Sequence, residues 1–176
     1  MGDGGGPSSL LLVVDVQNGF INEHTEHVVA PVNALMAAFR RRNTPIALTR
    51  FVNTPGSGYA RWIGWTRFMQ APENALHAGV DAGDAPVFVK HGYTAFTEDF
   101  TRFVVEHAVE RLVLCGIATD GCVLKTAVDA FERGIEPLVV RDACASHAGR
   151  EVHDAGLLLL GRFIGTRQIV TLAEFV

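Results

Sequence analysis

A thiol, a carboxylate and an ammonium are the groups in this chain whose surroundings suit nucleophilic chemistry: Cys122, Asp15 and Lys90. Cys122 lies in Gly116-Ile117-Ala118-Thr119-Asp120-Gly121-Cys122-Val123, after the apolar run Leu112 to Leu114 and before a helix-like stretch, Leu124 to Arg133. A thiol at the head of a helix meets unpaired N–H groups and partial positive charge, and both favour thiolate. An ordinary thiol is mostly protonated at neutral pH, so a nucleophile needs a base or a field that stabilises its anion. Asp15 can accept the proton, and Lys90 favours the anion. Backbone N–H groups of the 116–122 turn can face a developing oxyanion. Each residue also has a plainer reading: a small buried cysteine, a turn-forming aspartate, a solvated lysine. On position alone Cys122 reads equally as core filler and as nucleophile.

The elements that would position these groups follow from hydrophobic patterning. Leu10 to Val14 is continuously apolar, as expected for a strand covered on both faces. Further strands are expected at Pro45–Phe51, Pro86–Val89, Arg111–Cys115, Glu136–Val140 and Arg167–Thr171. Helical spacing is expected over Val28–Arg42, Phe100–Val109 (with Thr97 as N-cap), Val123–Arg133 and Glu151–Phe163. Alternating strands and helices predict an α/β fold: a three-layer α/β/α, Rossmann-like arrangement with a six-stranded, mostly parallel sheet and helices on both faces. Ligands in such sheets bind beyond the C-terminal strand ends, and Asp15, Lys90 and Cys122 all fall at such ends. The long stretch from Asn53 to Ala85 holds both tryptophans, Trp62 and Trp65, and reads as a pocket wall or as a subunit interface.

The chain has 176 residues, 48% of them hydrophobic, which suits one domain with one core. Residues 10–176 are expected to form that domain, with 1–9 as a flexible tail. A net charge of −4 gives no nucleic-acid footprint, and no apolar run is long enough for a membrane span. Three cysteines without CxxC spacing fit reduced thiols in a cytoplasmic protein. Cys115 and Cys144 are expected to pack in the interior, and His147 and His153 to sit at the surface.

Three segments resemble the motifs of the isochorismatase-like cysteine hydrolases. Asp15-Val16-Gln17-Asn18-Gly19-Phe20 is similar to D-x-Q-x-x-F, and Lys90-His91-Gly92-Tyr93-Thr94-Ala95-Phe96 to K-x-x-x-[ST]-A-F. The Gly116–Val123 segment is similar to G-[IV]-x-T-[DNE]-x-C-V. The resemblance implies a catalytic triad of Asp15, Lys90 and Cys122, and a cis peptide at Ile117–Ala118. It also implies an oxyanion hole from the N–H groups of Ala118 and Cys122. Phe20, Trp62, Trp65, Phe96 and Thr119 are the expected substrate contacts. Nicotinamidases of that family carry a D-x-H metal pattern after the second strand. Here that place holds Thr49-Arg50-Phe51-Val52-Asn53, so no metal and no cofactor are expected, and nicotinamide is disfavoured. True isochorismatases carry glycine where this chain has Cys122. The expected activity is hydrolysis of a C–N bond in a small amide, carbamoyl or lactam substrate. The partner is then a small molecule, with no nucleic acid and no membrane, in a homo-oligomer (dimer or tetramer). Two alternatives stand beside it: hydrolysis of a small carboxylate metabolite, and a non-catalytic binding protein on the same fold.

Overall fold

The computed structural model describes residues 7–176; most of the expected tail, residues 1–6, lies outside them. Six strands, β1 (Ser9–Val14), β2 (Ile46–Phe51), β3 (Val87–Lys90), β4 (Arg111–Ile117), β5 (Glu136–Ala145) and β6 (Ile169–Val170), form one sheet. Its order is β3-β2-β1-β4-β5-β6, and every pairing is parallel rather than mostly so. The central β1 is buried from Leu10 to Val14, as its unbroken apolar run requires.

Five helices connect the strands: α1 (Val29–Arg41), α2 (Gly58–Trp62), α3 (Glu98–Glu106), α4 (Leu124–Glu132) and α5 (Arg150–Phe163). Thr97 caps α3 as expected, accepting a hydrogen bond from the Phe100 N–H. The chain leaves β1 toward β2 on one side and leaves β4 toward β5 on the other. Right-handed crossovers therefore put α1 on one face and α3, α4 and α5 on the opposite face. The two directions part between β1 and β4, which opens a crevice at their C-terminal ends. Among the described residues no helix is long and apolar enough to cross a membrane.

Several expected bounds shift: α3 runs over Glu98–Glu106 rather than Phe100–Val109, β4 extends to Ile117, and β3 reaches Lys90. β5 continues past Val140 to Ala145, because Arg141 and Asp142 stay in the strand although both are exposed. β6 is two residues long rather than five. A register shift between Leu114 and Gly116 marks an irregularity in β4 beside the crevice. Gly116 has φ +113°, and a Cβ there would lie 2.1 Å from the Val14 carbonyl oxygen of the neighbouring strand. Gly116→Ala is accordingly expected to cost about 3 kcal/mol or more, because the side chain is barred both by φ and by backbone it cannot displace. Denaturant unfolding of the variant checks this; an unchanged midpoint would show that the strands can part at that point.

Candidate active site

Each of the three reactive groups reaches the crevice from a different strand end. Asp15 follows β1 directly and has φ +48°. Thr49 of β2 fixes its carboxylate: the Thr49 hydroxyl donates to Asp15 Oδ1 at 2.7 Å and accepts from the Asp15 N–H at 3.2 Å. Lys90 ends β3, two strands away, and its long stem carries the ammonium beneath β2 past the Phe51 ring, 5.4 Å from the ring centre. Its Nζ stands 2.7 Å from Asp15 Oδ2 and 3.2 Å from Cys122 Sγ. The same ammonium donates to the carbonyls of Gly92 at 2.9 Å and Tyr93 at 3.2 Å. Both ionic side chains are fully buried.

Cys122 sits in a π-turn, Thr119–Val123, that leads into α4. The Ala118 carbonyl accepts from the N–H groups of Gly121 and Val123, which shapes the turn around the thiol. The Ile117–Ala118 peptide is cis, as the family resemblance implies. Gln17 locks the floor. Its amide donates to the Phe51 and Asn74 carbonyls and accepts from the Phe51 N–H, tying the end of β1 to the end of β2.

The thiol does not behave as its place at a helix head predicts. Burial pushes Cys122 up from 9.0 to about 12, and the Asp15 charge adds to the rise. Lys90 pulls the other way without overcoming burial. The resting group is therefore a neutral thiol beside a carboxylate, not the thiolate expected from the helix and the lysine. Burial also opposes the Lys90 charge, but Asp15 and Cys122 more than offset it, and the ammonium is held above its ordinary 10.5.

A cavity of about 320 Å³ opens over Cys122. Phe20, Phe51, Tyr59, Trp65 and Tyr93 line it together with Ala118, Asp120, Gly121 and His147. The rings support one another: Phe20 on Phe68 at 4.0 Å, Phe51 on Trp65 at 5.7 Å, Tyr59 on Tyr93 at 5.1 Å. Asn53 organises this wall from below. Its amide donates to the Trp65 and Arg67 carbonyls, and its oxygen accepts from the Thr54 N–H and the Ser57 hydroxyl. Ser57 in turn caps α2.

Of the expected substrate contacts, Phe20 and Trp65 line the cavity, and Trp62, Phe96 and Thr119 do not. Trp62 is 79% exposed, because α2 turns it outward. Phe96 packs on Phe100 at 5.4 Å, under the Arg133 guanidinium. The Thr119 hydroxyl is taken by His153 Nδ1 of α5 at 2.7 Å, which makes that histidine a support of the turn rather than a free surface residue. His147 is exposed as expected, yet it borders the cavity and stacks 4.9 Å from Phe20. Cys115 and Cys144 are buried as expected. Gly19 has a local reason. A Cβ there would fall 2.5 Å from the Glu73 side chain and 2.6 Å from the Phe68 ring, so the cavity wall itself fills the space.

This geometry accords with the comparison to known families. The family model described as Isochorismatase domain matches residues 9–167. The chain belongs to the isochorismatase family. Within that family it is 29% identical over 143 residues to a secreted isochorismatase effector of Phytophthora sojae, a match spanning 79% of this chain and 62% of the effector. It is 25% identical to a nicotinamidase of Acinetobacter baylyi, over 84% of this chain and 89% of that enzyme. The crystal structure of a Pyrococcus horikoshii pyrazinamidase in complex with zinc aligns with TM-score 0.79 at 26% identity, covering 94% of this chain and 98% of that one. The chain is thus an isochorismatase-family hydrolase with an all-parallel α/β fold.

The zinc of that pyrazinamidase raises the question of a metal here. Among the described residues no three His, Cys, Asp or Glu side chains are grouped so that they could hold a metal ion. At the end of β2, Phe51 turns its ring into the wall, and beyond it Asn53 spends its amide on the loop. A phenyl ring and an amide already committed to hydrogen bonds do not suit a metal.

Proposed function

We propose that this isochorismatase-family hydrolase cleaves a C–N bond of a small amide, carbamoyl or lactam substrate through an acyl-enzyme on Cys122. The observation that carries this reading is the buried contact of Lys90 Nζ with both Asp15 Oδ2, at 2.7 Å, and Cys122 Sγ, at 3.2 Å, at the floor of a cavity. The names of the similar nicotinamidase and pyrazinamidase point toward amides as well.

The Cys122 sulfur attacks the substrate carbonyl as its proton passes to Asp15, so no free thiolate has to form. The carbonyl π electrons move to oxygen, and on this reading the N–H groups of Ala118 and Cys122 receive it. Collapse breaks the C–N bond, and the leaving nitrogen takes the proton from Asp15. Water then attacks the thioester while giving a proton back to Asp15. The C–S bond breaks, the acid departs, and the sulfur recovers its proton. Lys90, 2.7 Å from Asp15 Oδ2, holds the carboxylate in place and balances charge as the proton moves. The test follows ammonia release from a panel of small primary amides and ureas, and the ring-opened amine from lactams, wild type against Cys122→Ser. Equal turnover by wild type and variant, above the enzyme-free rate, would remove Cys122 from the chemistry.

A further inference from the structure

The cavity over Cys122 has an unbalanced electrostatic character. Five aromatic rings (Phe20, Phe51, Tyr59, Trp65 and Tyr93) line it, and Asp120 is the acidic side chain among its lining residues. Among the described residues no lysine or arginine lines it. Lys90 lies beneath Cys122, fully buried, with its ammonium already shared between Asp15 and the carbonyls of Gly92 and Tyr93. Arg67, on the wall-forming segment, is exposed and paired with Glu73. Although His147 is exposed overall, partial desolvation of its ring beside Phe20 holds the imidazole below its ordinary 6.5, which favours the neutral form at neutral pH. The field of Asp120 acts on both Tyr93 and His147, where it outweighs the opposing charges of Lys90 on Tyr93 and of Arg67 on His147.

We propose that this site selects its substrate by charge: it takes small amides whose acyl part is an uncharged or cationic ring and rejects those bearing a carboxylate, with Asp120 and the ring walls as the specificity determinants. The proposal rests on the amidase reading and narrows it. Ring faces carry negative potential, so they attract a cation and repel an anion, and both effects grow as water leaves. A carboxylate brought into this cavity would lose hydration, find no cationic partner on the walls and face the Asp120 charge. A volume of about 320 Å³ takes one ring with its substituents, which brings any charge on that ring close to the walls. Hydrolysis of a small carboxylate metabolite, one of the alternatives raised by the sequence, is correspondingly disfavoured.

Three probes on one scaffold test this: benzamide, 3-(trimethylammonio)benzamide and 3-carbamoylbenzoate. Their binding to Cys122→Ser is measured by calorimetry, and ammonia release is measured with wild type. The anion is expected to bind at least about tenfold more weakly than benzamide, and the cation as tightly as benzamide or more tightly. Asp120→Asn is expected to shrink the cation-to-anion affinity ratio by about threefold or more, a modest change because that carboxylate is exposed and screened. Tightest binding by the anion, equal binding by all three, or binding by none overturns the proposal. A ratio unchanged in Asp120→Asn overturns the role of that residue. Binding in the expected order without ammonia release from wild type supports charge selection and sinks the amidase reading instead, so the two failures are told apart.

Discussion

Asp15→Asn is expected to lower turnover by at least about a thousand-fold and to destabilise the fold by about 3–5 kcal/mol. The two effects have separate origins. Turnover falls because the amide cannot take the Cys122 proton or return it to the leaving nitrogen. Stability falls because Lys90, fully buried and 2.7 Å from Asp15 Oδ2, loses its counter-ion. Loss of the Lys90 proton limits that cost, since an isolated buried ammonium can neutralise. The double variant Asp15→Asn/Lys90→Met distinguishes the two origins. Removing both charges is expected to restore much of the unfolding free energy while turnover stays lost. A double variant as unstable as the single one would mean that the pair is held by packing rather than by charge. Recovery of turnover in either variant would take Asp15 out of the proton path.

The second large effect concerns the protonation state of Cys122. With the thiol pushed from 9.0 to about 12, almost none of it is thiolate at neutral pH. The far-ultraviolet thiolate absorbance of wild type minus Cys122→Ser should therefore be absent at neutral pH and grow only as pH approaches about 12. A thiolate band at neutral pH would show that the lysine and the helix win over burial. Cys122→Ser should itself lower ammonia release by at least about a thousand-fold, because a hydroxyl is a far weaker nucleophile in the same place. The shift also bears on stability. Above its ordinary value the thiol of the unfolded chain ionises while that of the folded chain stays protonated. The unfolded state then holds fewer protons, and stability drops as pH rises from about 9 toward 12. Cys144, pushed by burial to about 12, adds to the same loss.

The parts of the molecule legible in the sequence are those governed by local or periodic rules. Leu10 to Val14 could only be a doubly covered strand, and Thr97 followed by Glu98 and Asp99 could be read as a helix start. Asp15, Lys90 and Cys122 stood at strand ends, where a parallel sheet gathers ligands, and their motifs named the family. The walls were harder to read because their positions depend on turns of irregular chain. Trp62 and Trp65 are three residues apart, yet one faces solvent and the other the cavity, a choice made by where α2 stops. Thr119 looked like a substrate contact until α5 supplied His153 to take its hydroxyl. Tyr59, Tyr93 and His147 come from three separate segments, and no sequence spacing joins them. The protonation of Cys122 was misread because burial, which outweighs the helix and the lysine, belongs to the whole fold rather than to the turn.

The floor and the walls of the cavity are encoded in different stretches of chain. The floor needs the ends of three strands and one turn, each held by backbone contacts that tolerate little change, as Gly116 illustrates. Much of the wall comes from one surface excursion, residues 53–68, hung from Asn53 and closed by Phe68. Mutational drift in that excursion can redraw the outline of the acceptable molecule while the reacting atoms keep their places. A lineage built this way can change its diet without reinventing its chemistry.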